Sequence, residues 1–157
     1  MTLYHTVVHL KRYKNPECTI STSLNLSTIH MTREEFLKAR RKLGKTQKQL
    51  SELLGVSIKA VHSYEQGWRT VPSHVERQVF FLLSRIREAG HKPPRACWTV
   101  KNCPKGRKET CPAWEFQAGK LCWFINGTIC ECQAQKTWKD KMTICRRCEV
   151  LSSLLDE

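Results

Sequence analysis

Between residues 32 and 87 apolar positions recur at intervals of three and four, and short polar breaks cut the pattern into four segments. Phe36, Ala39 and Leu43 share one face of the first, and Gly44 stops it. Leu50, Leu53 and Leu54 mark the second, which Gly55 ends. Val61 and Tyr64 form the inner side of a third, ended by Gly67; Val75, Val79, Leu82, Leu83 and Ile86 stripe a fourth. Such spacing predicts amphipathic helices. Their starts are marked as well. Thr32-Arg33-Glu34-Glu35 and Thr46-Gln47-Lys48-Gln49 are capping boxes, in which the Thr hydroxyl accepts a backbone N–H and the fourth residue reaches back. Ser57 caps the third helix, and Pro72 suits the start of the fourth.

The pattern stops on both sides. From Arg87 to Ala96 the chain carries Gly90 and Pro93-Pro94, so no helix should pass, and residues 88–96 are expected to be a linker. Beyond it turn residues are frequent and cysteine dominates. Residues 97–150 are expected to form a small, irregular Cys-rich domain held by metal or thiol chemistry and a few large aromatics, followed by a tail at 151–157. Trp114 and Trp138 are expected in its core. At the other end, residues 1–31 show no sustained period and are expected to be a disordered leader or a loose strand. Met31 stands directly before a helix start and is a candidate for the true first residue; Cys18 would then be an inert thiol. The predicted class is a mainly α helix-turn-helix bundle of about four helices at 32–87, plus the Cys-rich domain.

The second and third helices are joined by Gly55-Val56-Ser57, which supplies a stop, an apolar corner and a polar cap. Thr46 to Gly67 (TQKQLSELLGVSIKAVHSYEQG) resembles the Cro/phage-repressor family of helix-turn-helix domains, within a likeness covering Thr32 to Ile86. The resemblance implies that Ser57 to Gln66 is a recognition helix, entering the major groove by its N-terminal end. Ser57, Ile58, Lys59, His62 and Ser63 match positions that face DNA. Lys59 is suited to guanine O6 and N7, and Ile58 to a thymine methyl. Gln47 matches a position that holds phosphate at a helix N-terminus. Lys45, Lys48 and Arg69 are further phosphate candidates; Leu50, Val56 and Val61 are expected in the core. A fifth helix often supports dimers in that family, and here the Pro-Pro run arrives first.

Eight of the nine cysteines lie between residues 97 and 148. Candidate metal ligands are Cys97, Cys103, Cys111, Cys122, Cys130, Cys145 and Cys148. Cys145-Arg146-Arg147-Cys148 is the only Cys-x-x-Cys, and its arginines are expected to favour thiolate over thiol. Cys97-Trp98, Cys103-Pro104, Cys111-Pro112-Ala113, Cys122-Trp123, Gly127-Thr128-Ile129-Cys130 and Cys145-x-x-Cys148 resemble the bacterial domain named for its two Cys-Trp pairs. That resemblance implies a sensory or regulatory role and names no ligand. Cys132 stands where the pattern carries glycine, which makes it the weakest ligand candidate. Structural zinc, an iron–sulfur cluster and a bare thiol–disulfide switch all fit a thiol-rich segment; metal is favoured over bare thiols, with a slight lean to iron–sulfur.

Charge narrows the partners. The formal net charge is +13, spread along the chain, which favours a polyanion such as double-stranded DNA. No apolar run reaches bilayer-spanning length and the first thirty residues lack a signal-peptide core, so a cytoplasmic protein with no membrane partner is expected, and the resemblance of the Cys-rich segment implies a bacterial one. Lys101, Lys105, Arg107 and Lys108 are expected to be a solvated face. The leading expectation is a sequence-specific transcriptional regulator, not an enzyme, whose Cys-rich domain responds to metal or redox state. The alternative is an antitoxin-like repressor whose Cys-rich half is structural or docks a protein. A homodimer is a further candidate assembly. A DNA-tethered thiol oxidoreductase lacks both a His/Asp constellation and a thioredoxin-like βαβ setting.

Overall fold

The computed structural model describes residues 29–90 and 95–155. The expectation for residues 1–28, Cys18 included, lies outside the described residues. Four helices open the fold: α1 (Arg33–Lys42), α2 (Gln47–Leu54), α3 (Ile58–Gln66) and α4 (Ser73–Gly90). Both predicted capping boxes are formed. The Thr32 N–H donates to Glu35 at 2.9 Å and the Thr46 N–H to Gln49 at 3.0 Å, while each Thr Oγ1 accepts from the N3 backbone. Met31 and Phe36 are both buried, at the positions of a hydrophobic staple around the Thr32 cap. The fold therefore begins before residue 32, and the expected leader loses its last residues to the core.

Gly55 ends α2 at φ +63°, with no atom within 4 Å of where a Cβ would stand. A side chain there meets only backbone strain. Gly55→Ala is expected to cost about 1–2 kcal/mol in urea unfolding, with no further loss from crowding.

The α2–α3 hairpin packs on α1 and α4, burying Leu50, Leu54, Val61, Tyr64, Val75, Val79 and Leu83. Two details depart from the sequence pattern. Leu53 is exposed, because adjacent leucines cannot share one face and Leu50 and Leu54 take it. Ile86 is also exposed: the 18-residue α4 outlasts the 10-residue α1 that covers part of its stripe. Phe80 takes a central place instead. Helix α4 begins one residue after Pro72, whose carbonyl accepts the first bond from Glu76 N–H at 2.9 Å. It runs on to Gly90, so the helical half extends past the expected boundary at residue 87 and stops short of the Pro-Pro pair.

The Cys-rich half is built from short pieces: α5 (Cys97–Val100), α6 (Lys105–Glu109), α7 (Pro112–Glu115), a 3-10 turn (Cys122–Phe124), an antiparallel hairpin of β1 (Ile129–Cys130) and β2 (Gln133–Ala134), α8 (Trp138–Cys145) and α9 (Glu149–Ser152). Thr137 and Asp140 form a third capping box, written in the sequence as Thr-x-x-Asp and not singled out there. Glu131 and Cys132 turn the hairpin at φ +49° and +64°. A two-residue loop with both φ values positive favours glycine at its second place, where this chain carries Cys132.

The two halves share one continuous core. Phe80 of α4 meets Trp123 edge-on at 6.0 Å and Trp138 at 6.3 Å. Trp138 Nε1–H donates to Glu76 at 2.8 Å. Arg146 bridges Glu35 of α1 at 2.8 Å and Glu76 of α4 at 2.6 Å. The Cys-rich half thus lies against α1 and α4.

Candidate DNA face and thiol cavity

Helix α3 presents the candidate readers on its outer side. Ser57, Ile58, Lys59 and His62 are exposed, Ser63 is half-buried, and Val61 and Tyr64 anchor the opposite side in the core. Ser57 caps the helix, accepting from Ala60 N–H at 3.1 Å. Ser63 turns its hydroxyl back to the Lys59 carbonyl at 2.8 Å, so its lone pairs, not its proton, face outward. His62 stacks edge-on against exposed Trp68 at 5.4 Å, an aromatic pair beside the helix end that sequence reasoning did not assign. Lys48 and Arg69 are exposed, and Val56 is only half-buried.

Gln47 is held from within. Its amide donates to Glu65 at 2.8 Å, and Glu65 is also gripped by Arg40. Burial works against the Glu65 carboxylate, yet the hydrogen bonds from Arg40 and Gln47 outweigh it and hold the carboxyl below its ordinary range. Arg40 further donates to the Lys45 carbonyl at 2.9 Å. This cluster fixes the start of α2 relative to the end of α3, the two ends that a duplex backbone would span.

The second feature lies in the other half. All seven candidate metal ligands are free thiols. Cys97, Cys103, Cys111, Cys122 and Cys130 line a cavity of about 150 Å³. Its wall includes Trp98 and Trp114, which meet edge-on at 4.9 Å, with Lys108 4.0 Å above the Trp114 ring. Trp114 is therefore half-buried rather than core; Trp138 is buried as expected. Lys105 and Lys101 are exposed and Arg107 and Lys108 half-buried; Lys101, Arg107 and Lys108 also line this wall.

The two Cys-Trp pairs meet here. Cys97 N–H donates to the Gly119 carbonyl at 2.9 Å, and Trp98 lies against Gly119 so closely that a Cβ would stand 2.5 Å from its ring. The Cys97 and Cys122 side chains are hydrogen-bonded; that bond holds Cys97 below the usual thiol range and Cys122 well above it. Burial raises Cys103, pushes Cys130 up to about 11 and pushes Cys145 up to about 12. Arg146 is not aimed at Cys145 as expected: its guanidinium points to Glu35 and Glu76 and leaves this thiol to burial. Among the described residues no three Cys, His, Asp or Glu side chains converge closely enough to hold a single metal ion.

Residues 37–73 match a family model described as helix-turn-helix, which covers the end of α1, all of α2 and α3, and the approach to α4. The chain contains a helix-turn-helix domain there. No curated protein matches the chain. No solved structure matches it either. Among the described residues no helix is long and apolar enough to cross a membrane.

Proposed function

We propose that the chain is a sequence-specific DNA-binding transcriptional regulator whose thiol-rich half adjusts DNA binding to metal or redox state. The observation that carries the first part is α3: capped by Ser57, anchored through Val61 and Tyr64, and exposing Ile58, Lys59 and His62 beside Lys48 and Arg69. Base reading falls to Lys59, His62, Ser63 and Ile58, and positioning on phosphate to Gln47, Lys48, Ser57 and Arg69. The shared core and the Arg146 bridges favour a regulatory second half over an independent docking module, because a change among the thiols meets α1 and α4 directly. No catalytic residues are assigned.

Selection from a randomised duplex pool tests this reading; a consensus site is the expected outcome, and no enrichment over starting sequence would sink it. With a site in hand, Lys59→Ala is expected to cost about 1–3 kcal/mol at one base position. Lys48→Ala is expected to weaken all sequences alike and reduce the salt slope by about one. Affinity measured with metal-loaded, metal-stripped and thiol-oxidised protein tests the regulatory part. Equal affinity and specificity in all three would reduce the second half to a structural brace.

A further inference from the structure

We propose that the cavity beneath Trp98 and Trp114 is an iron–sulfur cluster site, with Cys97, Cys103, Cys111 and Cys130 as its four thiolate ligands. This rests on the reading of the second half as metal- or redox-responsive and names its cofactor.

The arrangement of the thiols carries the assignment. All four line the cavity, and Cys103 and Cys130 each lie close enough to Cys97 and Cys111 to feel their charge. They come from separate pieces: the start of α5, the turn before α6, the residue before α7 and strand β1. A tetrahedral zinc site with bonds of ~2.3 Å needs its sulfurs about 3.8 Å apart. These do not converge to single-ion distance. A cluster takes four cysteines around a core of several atoms and so asks for thiols set wider. The cavity of about 150 Å³ matches in size one that admits a benzene-sized ligand.

Charge and hydrogen bonding agree. Four thiolates around a cluster bring negative charge, and Lys101, Arg107 and Lys108 border the space that would hold it. Lys141 is stronger evidence. It is fully buried, its ammonium donates to the Thr128 hydroxyl, and among the described residues no carboxylate pairs with it. Thr128 itself lines the cavity. A buried cation held only by a hydroxyl is costly; an anionic occupant across Thr128 offsets that cost. The Ile129 N–H donates to Cys111 Sγ at 3.4 Å, a bond of the kind that tunes cluster potential. The tryptophan pair screens one side from water. Cys145 and Cys148 do not line the cavity; Cys122 does, but it is nearly fully buried with its side chain bonded to that of Cys97, and all three are left outside the ligand set.

The test is anaerobic incubation of the full chain with a mixture of ferrous and ferric iron and sulfide, followed by iron and acid-labile sulfide assays and a visible absorption spectrum. Iron and sulfide in matched amounts with a broad visible band are expected. Cys103→Ser and Cys111→Ser are expected to lose both, with far-UV circular dichroism confirming that the helices persist, while Cys148→Ser keeps both. Lys141→Met gives a second reading that does not remove a ligand: the metal-free chain should melt at a higher temperature, and the loaded chain should lose its colour faster. Failure of the full chain to take up iron and sulfide would overturn the site, as would equal retention in Cys103→Ser, Cys111→Ser and the parent chain. Binding of one zinc per chain in place of iron would overturn the cluster while leaving a metal-responsive module standing; only indifference of DNA binding to all such treatments removes that module.

Discussion

At neutral pH, replacing Arg146 by methionine destabilises the chain by about 3–5 kcal/mol, and the loss shrinks as the solution is made acidic. Arg146 reaches Glu35 and Glu76 together, and Glu76 is fully buried. Removing one partner of a buried ion pair leaves the other charge without compensation, which costs about that much. Burial already holds the Glu76 carboxyl above its ordinary value of 4.5, against the pull of Trp138 and Arg146. Without Arg146 it rises further. A carboxyl raised in the folded state favours folding below the unfolded value and loses that advantage as pH climbs through the folded one. The penalty of Arg146→Met is therefore small near pH 4 and largest at pH 7 and above. Urea unfolding of both chains across that range measures it, with exposed Arg147→Ala as a near-neutral control. A penalty equal at both ends of the range would show that lost packing, not the stranded carboxylate, sets the cost.

Trp123→Ala is expected to cost about 3–5 kcal/mol as well, and to loosen both halves at once. Trp123 is fully buried and lies edge-on to Phe80 and Phe124. Because Phe80 belongs to α4, the void opens on the helical side as much as on the Cys-rich side. One cooperative transition with a lower midpoint is the expected result, read by urea unfolding with far-UV signal. A parent-like transition for the helices, with only the second half lost, would mean that the halves fold independently. Phe116→Ala, at a site 67% exposed, should change stability by less than about 0.5 kcal/mol.

These effects also mark how far the sequence alone could be read. The caps at Thr32, Thr46 and Ser57 and the stop at Gly55 depend on residues three or four apart, so local chemistry revealed them. The α3 face was legible for the same reason: Val61 and Tyr64 point inward, which puts Ile58, Lys59 and His62 outside. Arg146 was misread because its partners lie 111 and 70 residues away, and nothing near Cys145 announces them. The cavity was invisible too. Its thiols are separated by irregular spacings, and only the packing of α5, α7 and β1 brings them to one wall. That Lys101, Arg107 and Lys108 also border the cavity was not legible, because a charge run carries no sign of what it borders. Lys141 gave no signal, since its burial is set by tertiary contacts around α8.

Where α3 sits when duplex is present decides between a reading helix and a merely structural one. The direct measurement is titration of a selected duplex with the parent chain and with the Lys59→Ala, Ser63→Ala double variant, from low to high salt. The double variant is expected to bind the selected site much more weakly while keeping the parent's salt-sensitive affinity for unrelated sequence. Unchanged occupancy of the selected site at every salt concentration would place the reading surface elsewhere on the molecule.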